Sequence, residues 1–385
     1  MAKVNEWSPE KKWNPFNSYK LLSQVYRWRK IKKGGKIPQP SLVTIDPINL
    51  CNQKCRWCNA DNILSKSKSM ISREDLLKIA DFLGSWENDW EKGVEAVCIA
   101  GGGEPLMNPH VGELIERLRE NNIEVGIVTN GVLIDKFIEP LSKCTWVGVS
   151  VDAGSKETLT KLKGKDHFDK IIENIRKLYD YSKEHDTLLS TPIQGYGIGF
   201  KYLLHPENIH EISKAAKIAK DAGCKNFHMR PVGVAWDKID KQGSESLVFN
   251  DGCIKQFHEE TAKARELEDN DFGVFGITHK FNDKFNKANQ FSNCYAIFMS
   301  GVFMPSEDNK GFNFGVCCDR RGDDVLLLGK NLKHPDEILK LWGSDKHWDI
   351  FKQINVNKCP RCTYQPHNQI YEHVIQNDSM TYKFI

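Results

Sequence analysis

No apolar run in this sequence approaches the roughly 18 residues that a membrane span requires, so no membrane partner is expected. The polar start, MAKVNEWSPEKKW, lacks the apolar core of a signal peptide, which predicts a cytoplasmic location. A strong charge of one sign is missing too. Lys and Arg number 54 against 51 Asp and Glu, a formal +3, which argues against a general nucleic-acid reader. There is no low-complexity linker and no clear internal repeat. With 40% hydrophobic and 27% charged residues, the chain is neither disordered nor fibrous. Its 385 residues fit one large domain or a domain with appendages.

What is present is a rhythm. Apolar strand-like runs, SLVTIDPI (41–48), EAVCIA (95–100), EVGIVTN (124–130), WVGVSVDA (146–153), IGFKYLL (198–204) and KNFHMRPV (225–232), alternate with helical patterns. One helical pattern, IHEISKAAKIAKDAG, closes on Gly223 as a C-terminal cap. Six strands alternating with helices predict an α/β fold with parallel pairing and right-handed crossovers. The arrangement is an open doubly wound sheet or a partial barrel, and in both the ligand sits at the C-terminal strand ends. After about residue 270 the rhythm breaks into short pieces such as GVFMP and DVLLL, which predicts a smaller appended domain. Three regions follow: 1–40, 41–270 and 271–385. The first is basic, with Lys11, Lys12, Arg27, Arg29, Lys30, Lys32, Lys33 and Lys36 interleaved with apolar side chains at helical spacing. It predicts an amphipathic helix packed on the main domain, or a dock for an anionic substrate or partner.

The 12 cysteines are not expected to form disulfides in a reducing cytosol. Cys98, Cys144 and Cys224 adjoin or lie in strand-like segments as small hydrophobes, and Cys253 opens a helix. Cys51, Cys55 and Cys58 lie in "CNQKCRWC" directly after the first strand. Structural zinc needs a fourth ligand, and neither His nor Cys follows within that loop. Three thiolates can instead hold three irons of a 4Fe–4S cluster and leave the fourth open. Trp57 is an apolar cover that limits solvent access. A glycine run ending in an acid, "AGGGEPLMNP" (100–109), follows the second strand, where the backbone can approach a ligand closely.

Together these motifs resemble the radical S-adenosylmethionine (radical SAM) enzymes over residues 40–270. The resemblance implies a partial (β/α)6 TIM-like barrel. It also implies a SAM-binding 4Fe–4S cluster on Cys51, Cys55 and Cys58. That cluster cleaves SAM to methionine and a 5′-deoxyadenosyl radical, which abstracts a substrate hydrogen. Gly102, Gly103 and Glu104 then receive the methionyl ammonium. Ser150 and Asp152, in "SVDAGS", are candidates for the SAM ribose or a substrate hydroxyl, or they cap turns. Arg230, in "HMRPVG", pairs with the SAM carboxylate, polarises a substrate or forms a structural ion pair. Asp152 and Arg230 are the candidate catalytic residues. Gly195, Gly197, Gly199 and Lys201 share one strand face, which suggests close approach of a ligand, or a bulge.

Cys294, Cys317, Cys359 and Cys362 form a second group that can close a zinc site or a fully ligated Fe–S cluster. The group resembles the Twitch domain, the short relative of the SPASM domain, and so implies an auxiliary 4Fe–4S cluster. Cys318 is the alternative to Cys317. Resemblance to a radical SAM aminocyclitol dehydrogenase implies electron transfer, in which the auxiliary cluster takes the electron that a ketyl radical loses with its proton. The expected reaction is oxidation or epimerisation of a small polar substrate such as a sugar or aminocyclitol, and the basic N-terminal segment suits an anionic one. An external one-electron donor such as flavodoxin or ferredoxin supplies the cleavage electron. A radical SAM peptide maturase and a non-catalytic, zinc-stabilised binding protein are the alternatives.

Overall fold

A computed structural model describes residues 22–33, 36–87, 92–193, 195–239, 248–277 and 280–376. The first 21 residues, with Lys11 and Lys12 of the basic segment, lie outside this set.

All six expected strands form: β1 (Leu42–Ile45), β2 (Ala96–Ile99), β3 (Glu124–Thr129), β4 (Trp146–Ser150), β5 (Gly197–Leu204) and β6 (Asn226–Pro231). Their apolar runs bury Val43, Ile45, Val97, Ile99, Val125, Ile127, Val147 and Val149, as strands covered on both faces require. Four more strands complete one sheet: β7 (Gly273–Gly276), β8 (Ser300–Pro305), β9 (Phe312–Gly315) and β10 (Leu327–Leu332). The order is β10-β9-β8-β1-β2-β3-β4-β5-β6-β7. Every pair from β8–β1 through β6–β7 is parallel, while β8–β9 and β9–β10 are antiparallel. The fold class is therefore α/β as expected, and the parallel series runs past the sixth strand. β7, a four-residue run with glycine at each end, carries too little pattern to show in the sequence.

Helices cover the crossovers. Arg73–Ser85, Val111–Glu120, Phe168–Glu184 and Ile212–Asp221 fall where periodicity places them, each burying an apolar stripe. Gly223 takes a left-handed φ of 87° just past the last of these, as its capping role requires. An extra helix, Lys156–Lys163, follows β4; Ser155 caps its start and left-handed Gly164 its end. Near the N-terminus, the helix Val25–Lys33 is packed rather than free. Trp28 is fully buried, edge-on to Tyr371 at 6.1 Å, and buried Arg27 pairs with Glu95 at 3.1 Å.

Candidate active site

A cavity of about 250 Å³ opens at the C-terminal ends of β1 to β6, where parallel α/β folds bind ligands. Cys51, Cys55 and Cys58 line one wall, and among the described residues no other Cys and no His lines it. The loop that carries them is pinned by the helix Lys156–Lys163. Lys54 N–H donates to Lys163 O and Arg56 N–H to Leu162 O, each at 3.0 Å, which satisfies carbonyls the helix end leaves open. Cys58 N–H donates to Cys55 O at 3.2 Å, turning the two thiols to one side. Trp57 stacks on His205 with ring centroids 5.3 Å apart. Burial pushes all three thiols above their ordinary range, and Lys163 beside Cys55 pulls the other way.

The glycine loop after β2 forms the next wall. A Cβ on Gly103 would lie 2.0 Å from Leu50 O, and one on Gly101 2.1 Å from Gly103 O, so only glycine permits this fold of the loop against the cysteine segment. Glu104 N–H donates to Leu50 O at 2.7 Å. The Glu104 carboxylate accepts from Thr129 Oγ1 (2.6 Å), Asn130 N–H (2.7 Å) and Leu106 N–H (3.1 Å). Burial raises its pKa against the pull of these donors. A fixed carboxylate, a close-packed glycine backbone and three thiols thus share one cavity. That donor set fits an open-iron cluster with an amino-acid ligand beside it.

Asp152 takes a left-handed φ of 63° and pairs with Lys163 Nζ at 2.8 Å, both side chains 2% exposed. It also accepts from Leu203 N–H at 2.7 Å. Ser150 lines the cavity, and its carbonyl accepts from Lys163 Nζ. Arg230 lines the cavity from the end of β6. Lys201 passes over Gly148, where a Cβ would lie 2.1 Å from Lys201 Cε, and its ammonium sits 5.1 Å from the centroid of Trp146. Burial and the nearby Arg230 charge depress Lys201 to about 8. Gly199 faces Asn226 and Gly197 takes a φ of 112°, so these glycines answer to neighbouring side chains and a bend.

Beyond the barrel mouth, Cys294, Cys317, Cys359 and Cys362 converge. Cys362 feels Cys294, Cys317 and Cys359, while Cys318 lies 3.8 Å from Tyr364 Oη and near Arg321 and Lys280. Arg320 Nη1 reaches Cys359 Sγ and Asn368 Nδ2 reaches Cys294 Sγ, each at 3.8 Å, a shell of donors suited to thiolates. Burial raises all four thiols, Cys294 to about 12. Among the described residues, no three His, Cys, Asp or Glu side chains converge tightly enough to share one metal ion.

Several site residues escaped the sequence reading. Asp46, at the end of β1, accepts from Arg321 and from the Gly102 backbone. The signal available was a carboxylate closing an apolar strand. Lys163, Lys280, Asp319, Arg321 and Arg361 had no local signal, because distant loops bring them together.

Residues 45–219 match the family model described as "Radical SAM superfamily". A curated relative, "Probable GTP 3',8-cyclase" of Saccharolobus islandicus, is 24% identical over 192 residues, 48% of this chain and 56% of the relative. The chain thus spans about half the length of that relative. Among solved structures, Streptococcus suis SuiB bound to precursor peptide SuiA aligns with a TM-score of 0.59 at 16% identity, over 92% of this chain and 75% of SuiB. Native anSMEcpe with bound AdoMet and Kp18Cys peptide aligns at 0.55 and 19% identity, over 84% of this chain and 88% of that chain. At these identities the structural likeness is one of fold. Among the described residues no helix is long and apolar enough to cross a membrane.

Proposed function

Because residues 45–219 form a radical SAM domain, we propose that this protein is a radical SAM enzyme that oxidises or epimerises a small polar substrate, a sugar or aminocyclitol in class. When bound, its 4Fe–4S cluster supplies the electron that cleaves SAM, and the resulting 5′-deoxyadenosyl radical takes a hydrogen atom from the substrate. Cys51, Cys55 and Cys58 hold that cluster. Gly102, Gly103 and Glu104 bind the methionyl ammonium, with Glu104 fixed by Thr129 and Asn130. Ser150 and Arg230, both at the cavity, serve SAM or substrate. Asp152 acts through Lys163, its ion-pair partner beside the cysteine loop.

The observation that carries the reading is the convergence of three thiols, the glycine backbone and Glu104 on one cavity. Residues 271–385 would hold an auxiliary cluster on Cys294, Cys317, Cys359 and Cys362, placed to take the electron that the substrate radical loses with its proton as it becomes the oxidised product. The orientation of Cys318 toward Tyr364 supports Cys317 as the ligand. An external one-electron donor completes the reaction. A second reading, peptide modification, draws support from the peptides bound to the two aligned structures.

Anaerobic purification tests the assignment. We expect about eight irons per chain and 5′-deoxyadenosine on adding SAM and dithionite. Cys55→Ala abolishes SAM cleavage, while Cys359→Ala retains part of it and loses substrate turnover. A colourless zinc protein, or equal loss of cleavage in both variants, would overturn the reading.

A further inference from the structure

The cavity has two electrostatic ends. At the cysteine end the charges are matched: Lys163 pairs with Asp152, and Glu104 is the acid assigned to the SAM ammonium. At the other end Arg230, Lys280 and Arg361 line the wall with Asp319 as the one carboxylate beside them. Among the described residues none of these three cations forms an ion pair. Lys280 is buried, and its ammonium donates to Thr363 Oγ1 at 2.7 Å. The Asp319 carboxylate is itself engaged, accepting from Thr363 N–H at 2.7 Å and Thr363 Oγ1 at 3.0 Å. Among the described residues Arg361 donates only to carbonyls, those of Val232 and, at 2.6 Å, Phe285. The carbonyls meet its two terminal nitrogens, while among those residues buried Nε has no partner and the charge has none either.

Asp319 attracts Lys280 and Arg230, but one carboxylate against three cations leaves net buried positive charge, which is costly and which a bound anion would offset. The charges of Arg230 and Lys280 both act against that of Lys201, on β5. The auxiliary thiolates are an alternative counter-charge. Cys362 and Cys318 do act on Lys280, but Arg320 and Lys287 also draw on Cys359, and Arg230 belongs to a barrel strand.

We propose that the substrate carries an anionic oxygen-acid group, a phosphate or a carboxylate, held at this end of the cavity by Arg230 and Lys280 with Arg361 framing the site. The proposal rests on the radical SAM reading for where the substrate lies, and it names the substrate's charge. An anion anchored there leaves the rest of the molecule extending toward the cysteine end. Asp319 limits the positive potential and so sets the affinity.

Calorimetric titration of the reconstituted holoprotein, with SAM present, tests it using inorganic pyrophosphate, malonate and neutral myo-inositol as probes. We expect an anion to bind and myo-inositol not to bind. Pyrophosphate binding more tightly assigns a phosphoryl source, and malonate binding more tightly a carboxylate source. Lys280→Met weakens the preferred anion at least tenfold, whereas Asp319→Asn tightens it several-fold, a gain that a merely structural role would not produce. Iron content identifies a variant that has misfolded, and Arg230→Met then repeats the loss. Absence of anion binding to the wild type, or unchanged affinity in all variants, overturns the proposal. SAM cleavage by the wild type is scored separately, so a protein that cleaves SAM yet ignores anions sinks this inference alone.

Discussion

The residue with the clearest energetic signature is Asp152. Its carboxylate and the Lys163 ammonium are 2.8 Å apart and almost wholly buried. Each has been taken out of water, and each depends on the other to offset that loss. Asp152 also sits at φ 63°, a conformation that Asp and Asn tolerate better than other side chains. Asp152→Asn therefore keeps the backbone and an acceptor for Leu203 N–H while removing the charge. We expect a loss of about 3–5 kcal/mol in urea unfolding of the apo protein. Adding Lys163→Met to the same chain should recover most of that loss. If the double variant were no more stable than the single one, the ion pair would not be the source of the effect. Asp152 was legible in the sequence as a polar residue after an apolar strand. Its partner was not, because the helix Lys156–Lys163 has a short, Lys-rich pattern (KETLTKLK) that reads as surface.

At the scale of elements, two loops make the site, and each is shaped by a helix end or a strand end. The cysteine loop closes the C-terminus of Lys156–Lys163, and the glycine loop closes against Leu50. Gly103→Ala would drive a Cβ to 2.0 Å from Leu50 O, so the two loops must part. The auxiliary thiols lie on other segments and are not touched. Iron should fall from about eight to about four per chain, with the remaining absorbance surviving in the variant; full iron content with normal SAM binding would show that the loops do not depend on each other. Both loops were legible because their chemistry is written in contiguous residues: three cysteines in eight positions, and an acid after three glycines. The strands that carry them were legible because buried parallel strands are continuous apolar runs. β9 was harder to see. Its run, FNFG, interleaves polar and glycine positions, and it exists because β8 and β10 lie on either side.

Among the described residues the strands form one sheet, in which the latest strands pair with the earliest. β8 docks beside β1 with Leu42 opposite Ser300 and Ile45 opposite Phe303, so residues from the last quarter of the chain complete the first edge and protect it from foreign pairing. Long-range closure of this kind leaves no local trace in a sequence. Its fastening point is Asp46, fully buried at the top of β1, where Arg321 meets it from the far end of the chain. Arg321 also donates to Cys318 O, beside the second cysteine group. Burial raises the pKa of Asp46, and Arg321 is the principal influence holding it down. In Arg321→Gln that restraint disappears and the carboxyl is raised further. A carboxyl whose folded pKa exceeds its unfolded value binds its proton more tightly in the native state, so stability falls as pH rises from the unfolded value to the folded one. The variant should therefore be most destabilised at neutral pH, by about 3–5 kcal/mol for a broken buried pair. Its deficit relative to wild type should shrink as the pH is lowered toward 4. Asp46→Asn in the same background should remove that pH dependence. Urea unfolding from pH 4 to 8 checks all three chains, and a deficit that stays constant with pH would mean that Arg321 fastens the sheet by packing rather than by charge.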